Sequence, residues 1–276
     1  MAESATTTII KPQKILGLKD IKELWNYREL LYFFSWRDIK VRYKQTAIGI
    51  SWAILQPFAT MVVFSIFFGK LAQIPSDGVP YPIFVYTGLL FWLFFSDSLS
   101  ETSNSLVANK SIVTKVYFPR LILPISSVIT KFVDFLIASV ILLGLMFYYG
   151  YTPHISGFLI VPLLLFITFM ASSGLGLFLA SLNVRYRDVR YALPFFIQIL
   201  LFLTPVIYPA SIAGKYSWIL AFNPMMGVIQ TARATLLGTT PINWALLSIS
   251  SVTCLIILVV GVIHFKKVER HFADIL

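Results

Sequence analysis

The chain has 276 residues, 58% of them hydrophobic and only 12% charged, and carries a formal net charge of +10. Soluble domains hold about a quarter charged residues, so this composition excludes an ordinary soluble globular protein and leaves a polytopic membrane protein. The basic side chains flank apolar runs, a pattern that orients membrane proteins and argues against nucleic-acid binding, and no exposed stretch reaches the roughly 50 residues of a soluble catalytic domain.

The first ten residues lack a basic lead into an apolar core, and the first span begins near residue 47, too late for a cleaved signal peptide. Residues 11 to 44 carry nine Lys and Arg with Trp, Tyr and Phe between them. Ile21, Leu24, Trp25, Leu31 and Phe34 fall near one helical stripe, and the longest uncharged run there, Leu30 to Trp36, is seven residues. This predicts an amphipathic interface helix over 18–44 that lies on the membrane without crossing it. Gln45 to Gly69 then gives 25 residues without a charge, enough to cross about 30 Å of hydrocarbon as a helix. The expected span one covers 47–69, with Pro57 removing a backbone donor and predicting a kink near its middle.

QIPSDGVPYP, rich in turn formers and free of Lys and Arg, reads as an external loop. Span two runs from Ile83 into 97–105, and an inside loop with a short helix carries Lys110, Lys115 and Arg120. Phe135 to Val184 is uncharged for 50 residues, too long for one crossing, and GYTPH at 150–154 marks a reversal between span three (123–149) and span four (155–182). Ser172, Gly176 and Ala180 form a small-residue stripe suited to a close helix neighbour. Arg185, Arg187, Asp188 and Arg190 make the next inside turn. Span five covers 191–210 with Pro194, Pro205 and Pro209. Residues 216–232 are uncharged but only 17 long and are cut by Asn223-Pro224, so they predict a re-entrant or interfacial helical pair. Span six covers 244–265, ahead of Lys266, Lys267 and Arg270.

The fold class expected is therefore an all-α integral membrane protein with six transmembrane helices. Its divisions are a cytoplasmic N-terminus over 1–46, a transmembrane domain over 47–265 and a cytoplasmic tail over 266–276. The four expected inside segments hold 18 of the 22 Lys and Arg, leaving Lys70, Lys131, Lys215 and Arg233 outside the pattern, and both termini are placed in the cytoplasm.

No GxxxxGK[ST], HExxH, paired Cys ligands or GxSxG occurs, and His154, His264 and His271 belong to different segments, so neither a nucleotide cradle nor a metal site is expected. Cys254, inside the last apolar run, reads as a small buried hydrophobe. Lys131 and Asp134, three apart, can pair on span three. The preferred reading has Lys131 snorkelling to the interface with Asp134 neutralising it; the other makes them a functional intramembrane pair. Asp97 and Glu101 share one face of span two and look toward a hydrated cavity, a partner subunit or the interface. Aromatic belts and lipid contacts account for most of the 24 Phe, 13 Tyr and 6 Trp, and a pathway on which sugar rings stack is the other reading.

Five blocks carry a resemblance: WRDIKVRYKQTAIGISWAILQP at 36–57, NKSIVTKVYFPR at 109–120, LNVRYRDVRYALP at 182–194, TPVIYP at 204–209 and NPM at 223–225. Together they resemble the membrane subunit of type-2 ABC exporters for polysaccharides, a group that serves O-antigen, capsule and teichoic acid. The resemblance implies a permease without enzymatic activity in the bacterial inner membrane, paired with a second copy of itself and with cytoplasmic ABC ATPase subunits. ATP and Mg would sit on those ATPases, and this chain would bind no cofactor. The implied cargo is a polysaccharide on a lipid, most simply O-antigen, with teichoic-acid or capsular export as the alternative. A secondary transporter or a membrane-embedded glycosyltransferase is disfavoured, since neither inverted repeats nor sizeable carboxylate-bearing loops are visible.

The resemblance also implies roles for particular residues. Trp52, Gln56, Phe195, Gln198 and Tyr208, on spans one and five, would line the pathway. Arg42, Lys44, Arg185 and Arg187 would attract an anionic lipid head, with simple orientation charge as the plainer account. Arg37, Lys40, Lys110, Lys115 and Arg120 would meet the ATPases.

Overall fold

The structure is a computed structural model that describes residues 18–44, 49–152, 155–212, 220–238, 240–270 and 272. Among them all regular structure is helical. Five helices are long and apolar enough to cross a bilayer, and one shorter apolar helix joins them. The described part of the interface segment is two helices, α1 (Leu18–Asn26) and α2 (Arg28–Lys44), interrupted at Tyr27.

α3 (Ser51–Phe64) runs through Pro57 and widens into a π-helical stretch, Ser65–Leu71. The Ala72 amide there reaches back to the Phe67 carbonyl at 2.9 Å. α4 (Tyr81–Ala108) opens on Pro82 in its first turn, where a missing N–H costs nothing, and is the buried centre of the bundle. After the short α5 (Lys110–Lys115), α6 (Ile122–Tyr149) stops at Gly150, whose φ of +75° only glycine adopts readily. α7 is Ile155–Arg185 and α8 is Val189–Leu203.

α8 is shorter than the expected span five because Thr204 stands before Pro205, which drives it out of the helical region to φ −98°, ψ 135°. At 15 residues it measures about 22 Å, less than the hydrocarbon thickness. The expected helical pair is represented by its second member, α9 (Pro224–Leu237); the first falls largely on 213–219, outside the described residues. Asn223 caps α9 by accepting from the Met225 amide at 3.0 Å. α9, 14 residues and about 21 Å long, is buried against α4, α7 and the last helix, α10 (Trp244–Glu269).

α4 and α7 pack together as the inner pair, with α6 on α4 and α10 on α7. The Ser172, Gly176 and Ala180 stripe is buried, and a side chain on Gly176 would come within 2.5 Å of Thr102 in α4. A second close approach joins α7 to α10: a Cβ on Gly174 would fall 2.6 Å from the Leu258 Cα, and one on Gly261 would strike the Gly174 carbonyl. Gly261→Val should therefore abolish recovery of monodisperse protein in detergent, whereas Gly144→Val, with nothing within 4 Å, should not. Size-exclusion profiles of the two variants decide this.

α3 and α8 are the least covered helices. Only 11% of the α3 span is buried, and Leu193 is the one buried residue recorded for α8. The residues that flank the spans with positive charge gather with α1, α2, α5 and the ends of α6, α7 and α10. There an apolar cluster of Phe34, Phe118, Leu121, Phe265 and Phe272 binds these elements to one another.

Candidate functional site

At the basic end, α2 ends on two polar residues that reach into the bundle. Arg42 donates to the Asp134 carboxylate of α6 and lies 3.3 Å from Glu101 of α4; the Tyr43 hydroxyl donates to the same Asp134. Burial, reinforced by that hydrogen bond, pushes the Tyr43 phenol above its ordinary range, so it stays a donor at any physiological pH. Behind them Lys131 is 5% exposed, its Nζ 3.5 Å from Glu101 and 3.7 Å from both Asp97 and Asp134. Lys131 thus does not snorkel. That part of the preferred reading is corrected, because carboxylates from α4 and α6 surround the ammonium on the spot; its other part, Asp134 as the neutralising neighbour, stands. Asp97 and Glu101, four apart on one face of α4, share this cation.

The expected pathway residues divide in two. Trp52 and Gln56 of α3 line a crevice of about 50 Å³ with Asp97, Lys131 and Asp134 on its wall. Trp52 is half exposed on the uncovered face. Phe195 (67% exposed) and Gln198 lie on the uncovered face of α8, while Tyr208 is half-buried and donates to the Phe202 carbonyl at 2.8 Å.

Among the expected head-group residues, Lys44, Arg185 and Arg187 are exposed at the basic end, and Arg42 is engaged as described. Of the expected ATPase contacts, Lys40, Lys110 and Lys115 are exposed. Arg37 lies 2.7 Å from Asp38 and donates to the Asn109 side chain at 3.0 Å, which ties α2 to the loop before α5. Arg120 donates to the Glu269 carbonyl and lies over Phe272, tying the loop after α5 to the end of α10.

The other end contains a residue to which the sequence reading assigns no role. Arg233 of α9 is 7% exposed and donates to three main-chain carbonyls: Phe84 at 3.2 Å, Pro205 at 2.7 Å and Val206 at 2.6 Å. Its guanidinium lies 3.6 Å over the Phe84 ring. The carbonyls of 205 and 206 are those left over where α8 breaks off, and irregular backbone in an apolar environment needs such donors. Gly88 makes room, since a Cβ there would lie 2.7 Å from the guanidinium. Arg233 also borders a cavity of about 560 Å³ with Asp77, Met226 and Gln230. The signal in the sequence was its exclusion from the orientation pattern, shared with Lys131.

Five helices of spanning length around a buried α4–α7 pair, with a short apolar α8 and a buried α9, define a multi-pass membrane protein. Residues 29–237 match the family described as ABC-2 type transporter, and the chain belongs to that family. It is 31% identical over 251 residues to the O-antigen export system permease protein RfbA of Klebsiella pneumoniae, covering 90% of this chain and 95% of that protein. It is 30% identical to the protein of the same name from Myxococcus xanthus, covering 78% and 82%. The polysialic acid transport protein KpsM of Escherichia coli is 22% identical over 85% of this chain and 91% of its own length.

Proposed function

We propose that this chain is the permease subunit of an ATP-driven exporter that moves a lipid-linked polysaccharide, O-antigen, across the bacterial inner membrane, both termini facing the cytoplasm. The observation that carries the reading is the near full-length similarity to O-antigen permeases at about 30% identity, against 22% for the polysialic acid protein. The energy comes from a separate ABC ATPase docked on the basic end, where Lys40, Lys110 and Lys115 stand exposed. A second copy of the chain covers the bare faces of α3 and α8, and the pathway runs between the two copies.

A sliding glycan suits shallow aromatic faces and exchangeable hydrogen bonds better than tight ionic sites. Trp52, Gln56, Phe195 and Gln198 supply such groups on the uncovered faces. The test is complementation: a strain lacking the chain accumulates intracellular O-antigen on its lipid, and the plasmid-borne gene, with its ATPase, restores surface glycan. Restoration of a capsular glycan alone would move the assignment to capsule export. In the same strain, Trp52→Ala is expected to lower export by about fivefold to tenfold, the kinetic equivalent of ~1 kcal/mol, with ATPase turnover retained. Full export by Trp52→Ala would remove this residue from the pathway.

A further inference from the structure

The ion cluster at the end of α2 has a construction that plain anchoring does not require. Three carboxylates (Asp97, Glu101, Asp134) face two cations (Arg42, Lys131), and four of the five belong to α4 and α6; only Arg42 comes from α2. Lys131 is bound tightly to none of its partners. Its three distances differ by only 0.2 Å, and all exceed the length of a direct N–H to O bond. Arg42 shares two of those carboxylates, Glu101 and Asp134, with Lys131. When Arg42 withdraws, Lys131 is already placed to draw closer to both, so the carboxylates keep a counter-ion in either state. Arg42, with about a third of its side chain exposed, is the member that water can receive, and the buried Lys131 is the resident one.

The location gives this exchange a direction. The first half of α2 is held by apolar contact, Phe34 packing on Phe118 with ring centres 5.9 Å apart. Its last turn is held by Arg42 and Tyr43, both on Asp134. Only six residues later α3 begins, after Gly49 in the left-handed region at φ +57°. The base of α3 in turn lines the crevice that holds Asp97, Lys131 and Asp134. A shift of the end of α2 thus bears directly on α4 and α6, whose carboxylates it holds.

We propose that Arg42 and Tyr43 of α2, with Asp134 as hub and Lys131 as resident counter-ion, form a releasable latch that positions α2 and α3 on the bundle and carries movement of α2 into the transmembrane helices. This rests on the transport reading above, and it reassigns Arg42 from attracting a lipid head to positioning α2. Apolar contact holds a helix in one place; a guanidinium on a partly hydrated carboxylate can leave and return.

The test uses the full chain with Cys254→Ala, in nanodiscs, carrying spin labels at Lys40→Cys on α2 and Val140→Cys on α6. Arg42→Gln and Asp134→Asn should each broaden the distance distribution, and the double variant should be no broader than either, since each change opens the same latch. Export in the complementation strain should fall about tenfold for either single variant and no more than about twofold further for the double, where independent roles would multiply. Should Asp134→Asn fail to fold, Arg42→Gln and Tyr43→Phe repeat the comparison from the α2 side. Unchanged distances in every variant, or broadened distances with full export, overturn the latch. Absence of export by the unaltered chain and its ATPase would overturn the transport reading instead, leaving the distance measurement to judge the latch alone.

Discussion

Arg233→Met should leave no recoverable folded protein, or at best protein with a sharply lowered thermal midpoint in detergent. The variant keeps the apolar stem of the side chain, to about the position of Nε, while removing every donor. The carbonyls of Phe84, Pro205 and Val206 then lose the partners recorded for them. Phe84 lies within α4 and keeps its helix bond, but the Pro205 and Val206 carbonyls are outside any helix. Each buried carbonyl without a donor costs about 1–3 kcal/mol, so these two cost about 2–6 kcal/mol, a large share of the ~5–15 kcal/mol by which a typical domain is stable at all. Water from the adjoining 560 Å³ cavity, whose wall includes Phe84 and Pro205, reduces that sum without cancelling it. Arg233→Lys should be nearly as damaging, because a compact ammonium cannot reproduce a planar fork that meets three oxygens from two helix ends. Gly88→Val tests the same contact from the other side, since its Cβ would sit 2.7 Å from the guanidinium and 3.3 Å from the Val206 carbonyl. Arg233→Met protein with normal yield, midpoint and export would show that those carbonyls are satisfied by water and that the arginine pins nothing.

What could be read from the sequence was whatever a local pattern specifies. The boundaries of α6, α7 and α10 lie within a few residues of the expected spans, because long uncharged runs ending in Lys and Arg admit few alternatives. The Asn223-Pro224 break was legible too, since an Asn cap followed by Pro is a helix start by local chemistry alone. The early end of α8 was within reach, because Thr204-Pro205 stands in plain view, but hydropathy continued to Ile207 and outweighed it. Within the ion cluster the Lys131–Asp134 pair, three apart on one helix, was legible; its closure by Arg42 and the arginine pin were not, for a physical reason. Arg42 and Asp134 are 92 positions apart, and Arg233 meets Phe84 across 149. Moreover, the partners of Arg233 are carbonyls, which carry no sequence signal. The usable clue was negative: Lys70, Lys131, Lys215 and Arg233 did not fit the distribution of charge that explained 18 of the 22 cations; Lys70 at the end of its span is exposed, whereas Lys131 and Arg233 are buried. In a membrane chain, a cation that orientation does not explain is to be given a partner before it is given a route to water.

Lys131→Met follows from that reasoning and should destabilise the protein strongly, though less than loss of Arg233. Removing the ammonium leaves three carboxylates facing the single guanidinium of Arg42. Breaking a fully buried pair costs about 3–5 kcal/mol, but Asp97 and Glu101 are 39% and 52% exposed and partly hydrated, so a loss of about 1–3 kcal/mol is expected. The sign of the effect is tested by a second change. If the damage is uncompensated negative charge, Lys131→Met combined with Asp97→Asn removes one of the stranded carboxylates and should recover part of the lost thermal midpoint. If the damage were only the cavity left by a shorter side chain, Asp97→Asn would not help. Asp97→Asn alone should be mild, because Lys131 keeps Glu101 and Asp134. Export should follow a different order from stability: Arg42→Gln leaves Lys131 in place and the bundle folded, yet frees the end of α2, so it should reduce transport more than the midpoint. Equal thermal midpoints for the unaltered chain and Lys131→Met would mean that the three carboxylates are solvated without it, and the cluster would then have no resident counter-ion from which Arg42 could be exchanged.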